Sequence, residues 1–149
     1  MNTWSGSGDR AMTSTIVDTN VLIDMLGPSS EMREWSRAAL KTCAADGDLV
    51  LNPVIWSELG ASPLSEAEIT AAFAWLGMKR EPLTYEAAFR AGKAHISYRK
   101  AGGLRERTLP DFLIGAHAAI RGHRLLTRDP QRYRAYFPDI QLISPETHP

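Results

Sequence analysis

A single cysteine, Cys43, stands among 149 residues, so no disulfide can form within the chain. A lone thiol suits a reducing compartment, and the expectation is a cytoplasmic protein. Long apolar runs are also missing. Nothing approaches the roughly 20 residues of a membrane-spanning helix, so no membrane contact is expected. Neither sign of charge dominates: Lys plus Arg number 17, and so do Asp plus Glu. Any nucleic-acid binding must therefore come from local basic patches. Repeats, low-complexity blocks and internal linkers are absent as well. The opening MNTWSGSGDRAM lacks the basic end and apolar centre of a secretory signal. Being polar and rich in Gly and Ser, residues 1–13 are expected to form a flexible tail, with Met12 as an alternative natural start.

What remains suits one domain, expected over residues 14–145, with 146–149 as a C-terminal tail. A chain this long buries on the order of 70% of its extended-chain surface and needs no structural metal to fold. Ile16 and Val17 read as a buried strand closed by Asp18, and Val21, Leu22, Met25 and Leu26 follow at helical spacing. Met32, Trp35, Ala39 and Cys43 mark a second helix, stopped by Gly47. LVLN (Leu49 to Asn52) is a strand, after which Asn52-Pro53 opens a helix. Ser65 and Glu68 form a capping box before a helix with Ile69, Phe73 and Leu76 on one face. The next helix is expected to bury Tyr85, Phe89, Gly92 and Ile96, with a Glu86–Arg90 pair outside, and to break at Gly102 and Gly103. LPDFLIGAHAAIRG is apolar nearly all round, as a buried helix is. A strand HRLLT, a short helix DPQRYRAYF and a strand IQLIS complete the chain. Strands alternating with helices predict an α/β fold whose mainly parallel sheet is covered on both faces.

Ligands of open parallel sheets gather beyond the carboxyl ends of the strands. Asp18 closes the first strand, Asp129 follows RLLT by two residues, and Asp111 lies in the first turn of the buried helix. Glu58 lies about 7 Å along the helix that starts at Pro53, on the face that should point inward. Each has a plainer explanation. Asp18 and Asp129 can cap helices, and Asp111 can complement a helix dipole. Glu58 resists this treatment, because a buried Glu without a partner is expensive. Together, four acids from four segments can face one volume. Two unit charges 4 Å apart repel by roughly 4 kcal/mol at an effective dielectric near 20, so the cluster holds protons or a cation. An all-oxygen set points to Mg²⁺ or Mn²⁺ rather than zinc, and to metal-assisted hydrolysis of a phosphodiester.

Basic residues lie close by in sequence. Arg99, Lys100, Arg105 and Arg107 precede Asp111, and Arg128, Arg132 and Arg134 bracket Asp129. They are candidates for phosphate contact, each with an ordinary surface role as the alternative. Tyr98 and Tyr133 are candidates to stack on bases, with packing as the stronger reading. Trp75, off the Ile69–Phe73–Leu76 stripe, suits an interface or second-layer packing equally. His95, His117 and His123 are expected to pack or cap locally without forming a metal pair, and His148 to lie in a frayed end. Cys43 has no base beside it and is not expected to act as a nucleophile.

IVDTNVLIDML, WSEL, LPDFLIGAHA and LLTRDPQRYRAYFP, in this order, resemble the PIN-domain ribonucleases, and most closely the VapC-type toxins of toxin–antitoxin pairs. The resemblance runs from about Thr15 to Pro145. It implies a three-layer α/β/α sandwich and Mg²⁺- or Mn²⁺-dependent endoribonuclease activity. On the family pattern Asp18, Glu58, Asp111 and Asp129 are the catalytic acids. Asp18 and Asp111 are the firmest metal ligands, Asp129 completes the site directly or through water, and Glu58 ligates or orients a water. Asn20 and Thr127 match the positions that hold these carboxylates. The partners implied are an RNA substrate, a cognate antitoxin that covers the groove, and a second copy in a homodimer. Gly115 stands where the family more often has Ala, a harmless departure on this reading.

Two other functions use the same features. A haloacid-dehalogenase-type phosphatase also begins with a strand ending in Asp, but needs a second Asp where this chain has Asn20. A non-catalytic RNA- or protein-binding module would keep the fold and is expected to lose an acid.

Overall fold

The computed structural model describes residues 13–103 and 107–149. Residues 1–12, nearly all of the expected N-terminal tail, and Arg105 lie outside them.

Five short strands build one sheet in the order β3-β2-β1-β4-β5: β1 Thr15–Val17, β2 Leu49–Leu51, β3 Lys79–Arg80, β4 Arg124–Leu126 and β5 Leu142–Ile143. Every pairing is parallel. β1, β2 and most of β4 are buried, as expected of strands covered on both faces. The helices are α1 Thr19–Leu26, α2 Glu31–Asp46, α3 Pro53–Leu59, α4 Glu66–Phe73, α5 Tyr85–Lys100, α6 Leu109–Arg121 and α7 Gln131–Arg134. No helix among the described residues is long and apolar enough to cross a membrane.

Local chemistry sets most boundaries where the sequence predicts them. Asn52 caps α3 by accepting from the Ile55 N–H at 2.9 Å, and Ser65 and Glu68 form the reciprocal capping box of α4. α4 ends earlier than the apolar pattern suggests. It passes into a 3₁₀ turn, Ala74–Leu76, and stops at Gly77, whose φ of 56° is left-handed. The turn feeds β3, a two-residue strand of exposed polar residues that carries no apolar signal.

α5 overturns an expectation. Tyr85, Phe89 and Ile96 are 96%, 69% and 52% exposed, and Gly92 is exposed beside them. The inner face is Ala87, Ala91 and Tyr98, with Ala94 half-buried between them. Small residues let α5 lie close along α6, where His95 and Tyr98 meet the Phe112 ring at 5.2 and 5.6 Å between centroids. Arg90, read as the outward partner of Glu86, stands 5.6 Å over the Phe137 ring instead.

α6 is the central covering helix, with Asp111, Phe112 and Ile114 through Ala118 all buried. Gly115 is not an idle departure. A Cβ there would stand 2.5 Å from the Phe137 ring, so only glycine admits that ring. The C-terminal residues are tied down rather than frayed. Thr147 and His148 donate backbone N–H groups to the Ser144 carbonyl, and the Trp35 Nε1–H donates to the His148 carbonyl at 2.8 Å.

Candidate functional site

The residue after each strand is polar: Asp18, Asn52, Glu81, Thr127 and Ser144. The ladder continues into this row. The Asp18 N–H donates to the Leu126 carbonyl, the Glu81 N–H to Leu51 and the Thr127 N–H to Ile143, at 2.9–3.0 Å. The strands thus deliver a line of side chains to the edge where α/β sheets bind ligands.

Asp18 occupies the N-cap position of α1 but makes no side-chain cap bond. Its carboxylate is 2% exposed as a residue and turned elsewhere. The Thr127 hydroxyl donates to Oδ2 at 2.8 Å, and so does the Tyr133 hydroxyl. Both bonds fall on one oxygen, and Oδ1 accepts none from the described residues. Burial raises the Asp18 pKa above the ordinary carboxylate value, against the pull of the two hydroxyls, and the charge of Asp111 adds to the rise. The capping explanation therefore fails for Asp18, since a cap would engage α1 amides.

Asp111 sits in the first turn of α6, where Oδ2 accepts from the Thr108 N–H at 3.2 Å. Its Oδ1 faces Arg132, whose Nη1 is 3.3 Å away. The same guanidinium donates through Nε to Asp129 Oδ2 at 2.7 Å. Burial would lower the Arg132 pKa, but Asp111, Asp129 and Asp18 outweigh it and hold the group charged. Two acids from two segments thus meet on one cation, and the charge of Asp18 acts on it as well. Glu58, half-buried on α3, joins through Thr19, whose hydroxyl donates to its Oε1 at 2.6 Å.

The two supporting residues act as a bracket between strands. Thr127 accepts from the Asp129 N–H at 3.0 Å while donating to Asp18. Asn20 reaches Thr127 Oγ1 at 3.5 Å and accepts from the Arg128 N–H at 3.3 Å. One hydroxyl therefore sets the spacing of Asp18 and Asp129.

The basic candidates divide. Arg99 and Lys100 are exposed at the end of α5. Arg107 lies 5.5 Å over the Tyr98 ring, and Arg128 pairs with Asp24. Arg134 pairs with Glu146, and Arg132 is committed to the acids rather than to a phosphate. Tyr98 and Tyr133 are core residues, so neither is placed to stack on a base. Trp75 is about half exposed, with Arg37 5.8 Å over its ring. Cys43 is buried, and burial pushes its thiol pKa up, which suits an inert packing role.

A second polar cluster escaped the sequence reading, which treated the histidines as separate. His117 on α6 and His123 before β4 both reach Glu81 Oε1 through Nε2, at 3.0 and 2.7 Å, and Arg121 stands 3.5 Å from Oε2. Among the described residues these are the three metal-ligating side chains whose donor atoms all lie within 4.8 Å of one another. The bonding around His117 decides what they do. Asn52 Oδ1 is committed to the Ile55 N–H, so its NH₂ faces His117 Nδ1 at 3.0 Å. Nδ1 must then accept, which puts the proton on Nε2, pointing at Glu81. That nitrogen has no lone pair for a metal. Burial also lowers the His117 pKa, which favours the neutral ring. The Glu81 pKa is lowered despite its own burial, because both histidines donate to it. The only sequence signal was two histidines flanking the end of α6, and nothing flagged Glu81.

A hollow of about 360 Å³ bordered by Trp35, Cys43, Ile143 and His148 contains none of the four acids.

A family model described as PIN domain matches residues 15–138. Among solved structures, VapBC2 from Rickettsia felis, bound to a DNA fragment from its promoter, superposes with a TM-score of 0.67 at 14% identity. That match covers 89% of this chain and 98% of that one. A toxin–antitoxin complex from Klebsiella pneumoniae gives 0.64 at 21% identity, covering 88% and 97%. FitAcB from Neisseria gonorrhoeae gives 0.60 at 21%, covering 89% and 98%. A comparison with curated proteins finds no match.

Proposed function

Because the chain belongs to the PIN-domain family, we propose that it is a Mg²⁺- or Mn²⁺-dependent endoribonuclease, the toxin of a toxin–antitoxin pair. The observation that carries this reading is the pairing of Asp111 and Asp129 on the Arg132 guanidinium, with Asp18 held beside Asp129 by Thr127 and Glu58 linked through Thr19. A volume that already gathers a cation among oxygen donors suits a hard divalent ion. Asp18, Asp111 and Asp129 would hold it, and Glu58 would orient a water. When bound, the ion supplies Lewis acidity and lowers the pKa of a coordinated water.

The chain's own residues do the rest. Thr127 and Asn20 keep the carboxylates in register, and Thr108 fixes one oxygen of Asp111. Exposed Arg99 and Lys100 offer phosphate contacts away from the acids. Asn20, bonded to Thr127 and to the Arg128 amide, has a holding role where a phosphatase would need a second acid. A solved structure of similar fold is a toxin–antitoxin complex, which supports a cognate antitoxin as partner here; a homodimer of the toxin is the further expectation of the resemblance.

The test compares wild type with an Asp18→Asn, Asp111→Asn double variant on total RNA in Mg²⁺, Mn²⁺ and EDTA. Discrete cuts by wild type with metal alone, and none by the variant, are expected. Equal cutting by both proteins contradicts the assignment.

A further inference from the structure

The acidic site contains one group that its charge does not call for: a phenol. Tyr133 is fully buried on the four-residue helix α7, and its hydroxyl donates to Asp18 Oδ2 at 2.8 Å. Packing alone asks for no hydroxyl there. A buried phenol needs a partner, and phenylalanine would spare the chain that requirement. The segment from Asp129 to Tyr133 thus serves the site three times, through a carboxylate, a guanidinium and a hydroxyl.

We infer that Tyr133 is a positioning residue of the acidic site, whose hydroxyl fixes Asp18 so that Oδ1 alone is offered to the metal. The inference rests on the reading of this edge as the metal site. Thr127 donates to the same Oδ2 at the same 2.8 Å, so two hydroxyls occupy that oxygen's two lone pairs. Thr127 stands just beyond β4, the strand beside β1, and Tyr133 on α7, so the carboxylate is held from both ends of the segment 127–133. A carboxylate pinned through one oxygen binds an ion through the other. That arrangement favours small ions that demand near-octahedral ligands, such as Mg²⁺ and Mn²⁺. It disfavours Ca²⁺, which accepts both oxygens of one carboxylate.

Calorimetric titration of the full chain with Mn²⁺ and separately with Ca²⁺ tests this, using wild type, Tyr133→Phe and Asp18→Asn. Wild type should bind Mn²⁺ and Asp18→Asn should not. Tyr133→Phe should bind Mn²⁺ about 10- to 100-fold more weakly, the usual effect of removing a group that orients a ligand. Its Ca²⁺ affinity should fall less, or rise. Wild-type Mn²⁺ affinity in Tyr133→Phe overturns the inference and leaves the site reading intact. An equal loss of both ions, as from a merely loosened pocket, also overturns it. No Mn²⁺ binding by wild type overturns the site reading and the inference with it. Should Tyr133→Phe not fold, proton NMR of the wild type serves instead. The hydroxyl proton, assigned through its own ring, should persist and shift when Mg²⁺ is added. Its disappearance means that Asp18 leaves Tyr133 to bind metal, which contradicts the inference.

Discussion

Asp18 and Glu81 occupy equivalent places, each the residue just beyond a parallel strand, with β2 between them. Their surroundings differ in kind. Asp18 meets hydroxyls on one oxygen and has neighbouring acids across a shared cation. Glu81 meets N–H donors on both sides: two imidazoles at Oε1 and a guanidinium at Oε2. By proximity alone, Glu81 with its histidines looks the better metal centre. Proton positions reverse that ranking. The Asn52 amide forces a proton onto His117 Nε2, so the cluster is a closed hydrogen-bonded network. The acidic edge keeps an oxygen open and an excess of negative charge. Donor direction, more than distance, separates a candidate ligand set from a hydrogen-bonded network.

The comparison breaks most severely at Glu81. Glu81→Ala leaves two buried imidazole N–H groups without an acceptor, at about 1–3 kcal/mol each. Urea unfolding should show a loss of roughly 2–6 kcal/mol, with Mn²⁺ affinity unchanged; a loss of metal binding would make the network part of the site. Gly115, on α6 between Asp111 and His117, ranks next. Gly115→Ala drives a methyl into the Phe137 ring and should cost about 1–3 kcal/mol in the same assay.

The pH dependence of stability sharpens the contrast, because the two carboxylates carry opposite signs. The depressed pKa of His117 means that the unfolded chain takes up a proton first as pH falls below about 6.5. That stability is present above this pH and is lost on acidification. The lowered pKa of Glu81 adds a further loss below its ordinary value of 4.5. Asp18 runs the other way. With its pKa raised above 3.8, stability is greatest below that value and falls as pH rises through the raised one. Thermal unfolding from pH 4 to 8 should show the histidine-linked loss in wild type and not in a His117→Asn variant. In Asp18→Asn the decline near the raised carboxylate pKa should vanish. The smallest effect belongs to the outer face of α5. Phe89→Ser should change stability by less than about 0.5 kcal/mol, as at an exposed site. A loss of several kcal/mol would restore the expected inner stripe.

That face shows where sequence pattern runs out. Residues 85, 89, 92 and 96 share their spacing with 87, 91, 94 and 98, so periodicity could not choose between the two faces. Bulk favoured the first, yet close packing on α6 selected the alanines. β3 was invisible because two exposed polar residues gave no apolar signal. The acids were legible because each sits at a strand end or in an early helix turn. Their partners were not. The Tyr133 hydroxyl and the Glu81–His117–His123 network depend on contacts between segments 36 to 115 positions apart.

The most direct test titrates Mn²⁺ into ¹⁵N-labelled protein and follows which signals the paramagnetic ion broadens first. The account predicts that the amides of Asp18, Asp111, Thr127 and Asp129 fade at the lowest Mn²⁺ concentrations, while the imidazole signals of His117 and His123 persist. Broadening that begins at the two imidazoles would place the ion at Glu81 and contradict the assignment of the acidic edge.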